Sequence, residues 1–186
     1  MKKSISDIPR KLNRENIDQA ITNYLKLLKD IPLKINADNI LQLLTDLKRK
    51  ELNAGPYPNV TLFEAANRIM TDLTILYGIK QLLNGYITEI NYDEYEVEFG
   101  HDNFNDNDIK ANNGNTKLVG EAFNVAKTFF QTKKSKALKK IRKQIRENDK
   151  VLLIYNSDAV DKTYVPKPSR NEYHLQVELN RSKLCI

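Results

Sequence analysis

Apolar positions recur at helical spacing in three places along the first half of the chain. Ile17, Ala20, Ile21, Tyr24, Leu25 and Leu28 fall three or four residues apart, which gathers them on one face of a helix. Ile40, Leu43, Leu44 and Leu47 repeat the pattern beyond a break around Pro32, with Asp38 placed to cap this second helix. The run Asn53-Ala54-Gly55-Pro56-Tyr57-Pro58 stops any helix and marks the main internal boundary. Past it, Leu62, Ala65, Ala66, Ile69, Leu73 and Leu76 predict a third and longer helix that ends near Gly85.

Beyond Gly85 the period drops to two. Tyr95, Val97 and Phe99 alternate with Glu94, Glu96 and Glu98, as in a half-buried strand. The segment from His101 to Asn107 is too rich in Asn and Asp to be regular. Asp108 to Ala111 reads as a short strand, Asn112 to Asn115 as a hairpin turn, and Lys117 to Phe123 as the returning strand. A helix is expected from about Val125 to Arg146, with Phe130, Ala137, Leu138, Ile141 and Ile145 facing inward. Val151 to Tyr155 is apolar throughout, the pattern of a strand covered on both faces. After Pro166 and Pro168, Tyr173, Leu175, Val177 and Leu179 alternate in a last strand. The expected fold is α/β (α+β), a mixed central sheet flanked by helices. It forms a single domain over 1–186, with an N-terminal helical part over 1–55 and a core over 56–186.

Composition narrows the function classes. At 186 residues with 40% hydrophobic and 29% charged side chains, the chain can bury a core and is not expected to be disordered. No apolar run approaches the roughly 18–20 residues of a membrane span, and no apolar stretch follows Met1-Lys2-Lys3. A soluble protein of a reducing cytoplasm, with no membrane partner, is expected. The single cysteine, Cys185, and the two histidines, His101 and His174, leave zinc hydrolysis and cysteine or triad catalysis without their parts. There is no Gly-rich phosphate loop, so no nucleotide cofactor is expected.

Charge is segregated. The net is +5 over residues 1–50, −8 over 51–124 and +9 over 125–186. An acidic centre between basic flanks suits a protein that collects cations at one place and phosphates around it. Asp108 opens one strand and Glu121 lies near the end of the next, across a tight hairpin, so pairing brings them within several ångströms. Two hard oxygen ligands with a backbone carbonyl beside them are what Mg²⁺ requires. Glu121 shares a strand face with Lys117, Val119 and Phe123, and its apolar neighbours are ones a surface glutamate seldom has. Between Lys127 and Lys143 there is no acid, and Lys133, Lys136, Lys140 and Lys143 form a basic stripe suited to a phosphate backbone or to plain solvation. Glu64, in the first turn of the third helix, either reaches the same site or closes the capping pattern Thr61-Leu62-Phe63-Glu64.

Asp108, the hairpin, Leu118-Val119-Gly120-Glu121-Ala122-Phe123-Asn124 and the Lys-rich helix together resemble the core of the PD-(D/E)xK nucleases over about residues 60–157. The resemblance implies a restriction-endonuclease-like core and a Mg²⁺ site held by Asp108, Glu121 and the carbonyl of Ala122, with Glu64 as the helix glutamate. The chain is similar in particular to the small subunits of heterodimeric type IIS restriction endonucleases. That likeness implies double-stranded DNA as substrate and a large recognition and nicking subunit as partner. The sequence departs from the family at two places. Phe123 stands where a lysine is expected, and Asn107 stands where a proline is expected. Lys127, Lys133 or Lys134 would then substitute in space, with Lys127, Lys136, Lys140 and Lys143 along the DNA backbone. The alternatives are a stand-alone structure-selective nuclease of the junction-resolvase type and a non-catalytic DNA-binding or assembly subunit with a nuclease-like fold.

Overall fold

The computed structural model describes residues 4–29, 31, 36–100, 102, 106–167 and 169–179. His101, Cys185, Pro32 and Pro168 lie outside the described residues. The fold is α+β. Four helices, α1 Ile17–Lys29, α2 Ile40–Arg49, α3 Leu62–Leu83 and α4 Phe130–Ile141, surround strands β1 Lys11–Asn13, β2 Glu94–Val97, β3 Ile109–Asn112, β4 Lys117–Phe123, β5 Lys150–Asn156 and β6 Glu172–Val177. The strands form one open, mixed sheet in chain order, antiparallel from β1 to β4 and parallel from β4 to β6. No described helix is long and apolar enough to cross a membrane.

The pleat of β4 sorts the two faces. Leu118 and Ala122 join the core beneath α3, together with Leu152, Ile154 and Val177. Val119 and Phe123 join a second core beneath α4, together with Leu153 and Tyr155. β5 is covered by both helices, which is why Val151 to Tyr155 reads as an unbroken apolar run. α3 lies close on the sheet because Gly78 faces Ile154: a Cβ at Gly78 would stand 2.7 Å from Ile154 Cδ1. The hairpin between β3 and β4 turns at Gly114, whose φ of +88° suits glycine. Asn112 and Asn113 close it, their side-chain carbonyls accepting from the N–H groups of Gly114 and Thr116.

The N-terminal part is not purely helical. Its three-residue strand β1 pairs with β2, too short for any sequence periodicity to register, and Leu12, Tyr24 and Leu27 are buried in the same core as α3. Three further expectations are corrected. Asn39, not Asp38, caps α2, accepting from the Gln42 N–H at 2.9 Å. The apolar positions of α2 are not buried: Ile40, Leu41 and Leu44 are exposed. The helix expected over 125–146 is shorter. It begins at Phe130 after a 3₁₀ turn, Lys127–Phe129, and ends at Ile141, because beyond that residue only Ile145 has a core to meet. Lys143 therefore sits in a turn, exposed and off the helical stripe.

Candidate functional site

Asp108 immediately precedes β3 and Glu121 lies on β4. The pairing of Ile109 with Gly120 continues by one step to set Asp108 opposite Glu121. The Ala122 N–H donates to Asp108 Oδ2 at 2.8 Å, fixing the carboxylate at the strand end. N–H and C=O of one residue in an extended strand leave on the same side, so the Ala122 carbonyl leaves β4 on the side of β3 as well. A cleft of about 600 Å³ opens here, lined by both acids, by Lys133, Lys136 and Lys140 of α4, and by Asn67 and Thr71 of α3.

Burial dominates the electrostatics of both acids. It pushes the Asp108 carboxyl above its ordinary range, against the Ala122 N–H, Lys140 and Lys133, which pull it down. Glu121 is pushed up to about 7, first by burial and then by the charge of Asp108. Lys140 opposes that rise, its Nζ donating to Glu121 Oε1 at 2.7 Å. Two carboxylates that resist ionising side by side form a place where added positive charge is favoured.

The remaining expected residues divide. Lys133, Lys136 and Lys140 come together with the acids. Lys134 does not: it lies on the other flank of α4, its Nζ 3.2 Å from the Tyr164 hydroxyl and over the Phe130 and Tyr164 rings. Lys127 is paired with Asp161. Glu64 is absent from the cleft lining. It is exposed and bound to Arg68 Nη2 at 2.6 Å, while its N–H donates to the Thr61 hydroxyl as the capping pattern requires. Phe123 is buried, stacked on Tyr155 and against Phe130. The lysine that sequence reasoning placed on phosphate, Lys140, is the one that touches an acid. Helical spacing puts Lys140 on one stripe with Lys133 and Lys136, but only the docking of α4 on β4 brings it to Glu121.

His174 lies on the β6 side of α4 and has a structural environment. Its Nε2 is 3.0 Å from Glu172 Oε1, and Glu172 Oε2 accepts from Arg142 at 2.7 Å. Burial holds His174 below its ordinary value. Asp72 and Glu98 are also buried. Asp72 accepts from the Tyr24 and Tyr57 hydroxyls and from the Gly100 N–H, and the Glu98 N–H donates to the Asp108 carbonyl at 2.9 Å.

Neither a family model, nor a curated protein, nor a solved structure matches the chain.

The donor set can be weighed on its own chemistry. Two carboxylates and a carbonyl, all hard oxygens on adjacent strands, suit Mg²⁺ or Mn²⁺, which keep several waters and need few protein ligands. Among the described residues no group of three or more His, Cys, Asp or Glu side chains is arranged to hold a metal ion. The fit therefore rests on the pair with its carbonyl.

Proposed function

We propose that this chain is a Mg²⁺-dependent endodeoxyribonuclease with a restriction-endonuclease-like, PD-(D/E)xK core. It hydrolyses one strand of a duplex site that a larger partner subunit recognises. The observation that carries the reading is the shared cleft, where Asp108 and Glu121 face three lysines of one helix with no acid among them. The order of α3, the β2–β3–β4 meander, α4 and parallel β5 supports it. It brings the acids near the carboxyl end of β4, where open α/β sheets bind ligands.

Asp108, Glu121 and the Ala122 carbonyl would hold the cation. Bound there, Mg²⁺ would polarise a phosphoryl oxygen, activate an in-line water and stabilise the leaving 3′-oxygen. Lys140 supplies, from α4, the positive group that Phe123 cannot supply from β4. Lys133 adds positive potential at both acids, and Lys136 extends it along the helix for the phosphate backbone. None of the four described helices has the look of a base-reading helix, so sequence specificity is assigned to the partner.

One observation favours a second reading, a non-catalytic DNA-binding subunit: Lys140 already satisfies Glu121. Cleavage of duplex DNA in Mg²⁺ separates the two, with wild type and Glu121→Ala each assayed alone and with the large subunit. A double-strand break from wild type plus partner, reduced to a nick with Glu121→Ala, supports the nuclease. Equal cutting by both chains moves the assignment to the binding subunit.

A further inference from the structure

Asp108 is held at two points of its own, its carboxylate by the Ala122 N–H and its carbonyl by the Glu98 N–H. The residue before it is held at a third. Asn107 is only 4% exposed, and its side-chain N–H donates to Gln144 Oε1 at 2.5 Å. Gln144 belongs to the turn that closes α4. Its own N–H donates to the Ile141 carbonyl at 2.9 Å, and Ile141 is fully buried in the core beneath that helix. That core is built on β4 and β5, one strand away from β3, so a long side chain has to cross to the Asp108 segment. Gln144 makes the crossing.

Lys140 stands next to Ile141 in the chain, so these contacts close a circuit. Lys140 meets Glu121 on β4, the Ala122 N–H meets Asp108 beside β3, and Asn107 returns through Gln144 to the end of α4. Both acids of the cleft are thus tied to one turn of helix, Glu121 by a charge and the Asp108 segment by an amide.

Two observations set the amide bond apart from ordinary packing. Asn107 Oδ1 has no hydrogen-bond partner among the described residues, so the amide is kept in the interior at a cost that an apolar residue of the same size does not carry. Asn107 and Gln144 also line a separate cleft of about 510 Å³ over β1 to β4, which shares no lining residue with the cleft of Asp108 and Glu121. They face away from whatever the two acids bind.

We propose that Asn107 and Gln144 are positioning residues. Their hydrogen bond holds Asp108 in register with the end of α4 that carries Lys140, so cation affinity at the acid pair and the cleavage step both depend on it. Neither side chain touches substrate or cation; each acts through the geometry of Asp108. The inference rests on the Mg²⁺ reading of the Asp108–Glu121 pair and extends it to a contact outside the cleft.

The test uses the full chain: calorimetric titration with Mn²⁺ alone as probe, single-turnover cleavage with the large subunit at saturating DNA, and thermal melting. Gln144 is exposed, so Gln144→Leu should melt within a few degrees of wild type. It should nevertheless lose about tenfold in Mn²⁺ affinity and in cleavage rate, the lower end of the range for an outer contact to a metal ligand. Gln144→Glu, whose carboxylate still accepts from the Asn107 amide, should restore both quantities. That rescue should vanish in Asn107→Leu/Gln144→Glu, where no donor remains. Asn107→Leu/Gln144→Leu should melt at the wild-type temperature or above, since the orphaned amide is gone, and still cut slowly. Affinity and rate that fall only in step with melting temperature make the bond a structural brace and overturn the proposal. A loss that Gln144→Glu does not restore, or a rescue that persists without Asn107, also overturns it. Wild-type affinity and rate in Gln144→Leu overturn it and leave the Asp108–Glu121 reading standing. No Mn²⁺ uptake by wild type, or uptake that Asp108→Asn leaves intact, overturns both.

Discussion

The ammonium of Lys140 stands 2.7 Å from the carboxylate of Glu121, nineteen residues earlier in the chain. The short path from β4 through the turn at Lys127–Phe129 into α4 lays the helix back over its own strand, which is how a lysine so far along meets an acid at the strand end. Lys136, one turn earlier, lines the same cleft without an ion pair to either acid.

These two lysines should separate in kinetics. Lys140→Ala is expected to lower the single-turnover cleavage rate at saturating DNA by about 100-fold, in the range for removing one preorganised charge from a transition state. Lys136→Ala is expected to weaken duplex binding a few-fold, reduce its salt dependence, and leave that rate nearly unchanged. If both variants lose only affinity, Lys140 is a backbone contact and the positive group lies elsewhere.

Glu121 gives the fold a defined pH dependence. Its carboxyl titrates near 7 in the folded chain against an ordinary 4.5, so the folded state holds the proton more tightly than the unfolded state. That contribution is complete below about pH 4.5 and lost as pH rises through 7. Asp72, raised to about 6 by burial against three hydrogen bonds, acts in the same direction at the lower end of the window. Urea unfolding of the metal-free chain should show stability falling between pH 5 and 8. Glu121 accounts for on the order of 1–3 kcal/mol of the fall, since each tenfold tighter hold on a proton is worth about 1.4 kcal/mol. Glu121→Gln should flatten the curve between pH 6 and 8. An unchanged slope in that variant would show that Glu121 titrates normally.

Much of this was legible from periodicity. The bounds of β4 and the course of α3 follow from alternation and from three-four spacing, because each buries a face against a large neighbour. The pair Asp108 and Glu121 followed from a two-strand hairpin, whose register a short turn sets locally. Glu98 did not follow. Its partner across β2 and β3 depends on how the eleven-residue segment Glu98–Asp108 closes, and alternation alone placed Glu98 among solvent-facing acids beside Glu94 and Glu96. Lys140 and Lys134 were equally indistinct, since only the docked rotation of α4 sends one to Glu121 and the other to Tyr164. α2 shows the opposite failure: an apolar stripe of the right spacing, Ile40, Leu43, Leu44 and Leu47, none of which is buried and of which Ile40 and Leu44 are exposed.

Asp72 has the perturbed carboxyl expected of a catalytic acid, yet the structure gives it a different task. It is fully buried, and it ties α1 to α3 through the Tyr24 hydroxyl at 2.6 Å and to the end of the β2 segment through the Gly100 N–H at 3.0 Å. Burial raises the Tyr24 and Tyr57 hydroxyls far above their ordinary range, so both remain donors at any working pH. Tyr24→Phe should cost about 1.5–3 kcal/mol in urea unfolding, the range for a hydrogen bond to a charged group. Mn²⁺ uptake and cleavage of the folded fraction should be unchanged. A variant of normal stability that has lost cleavage would instead place Asp72 in the catalytic machinery.

Phe123 offers the sharpest test of how this site departs from the proposed nuclease pattern. Restoring the expected lysine by Phe123→Lys would be a gain if the site were only a degraded version of that pattern. The packing argues otherwise. Phe123 is 3% exposed, its ring stacked at 5.8 Å on Tyr155 and 6.1 Å from Phe130, in the core that seats α4. A lysine there loses that packing and puts a charge among aromatic rings, for an expected loss of about 3–5 kcal/mol. Because the same core positions Lys140 against Glu121, cleavage should fall rather than rise. Phe123→Leu, which keeps an apolar side chain, should retain most activity at a cost of about 1–2 kcal/mol. Thermal melts alongside cleavage assays of both variants decide the matter. A Phe123→Lys chain that folds and cuts faster than wild type would return the positive group to β4 and leave Lys140 as a phosphate contact.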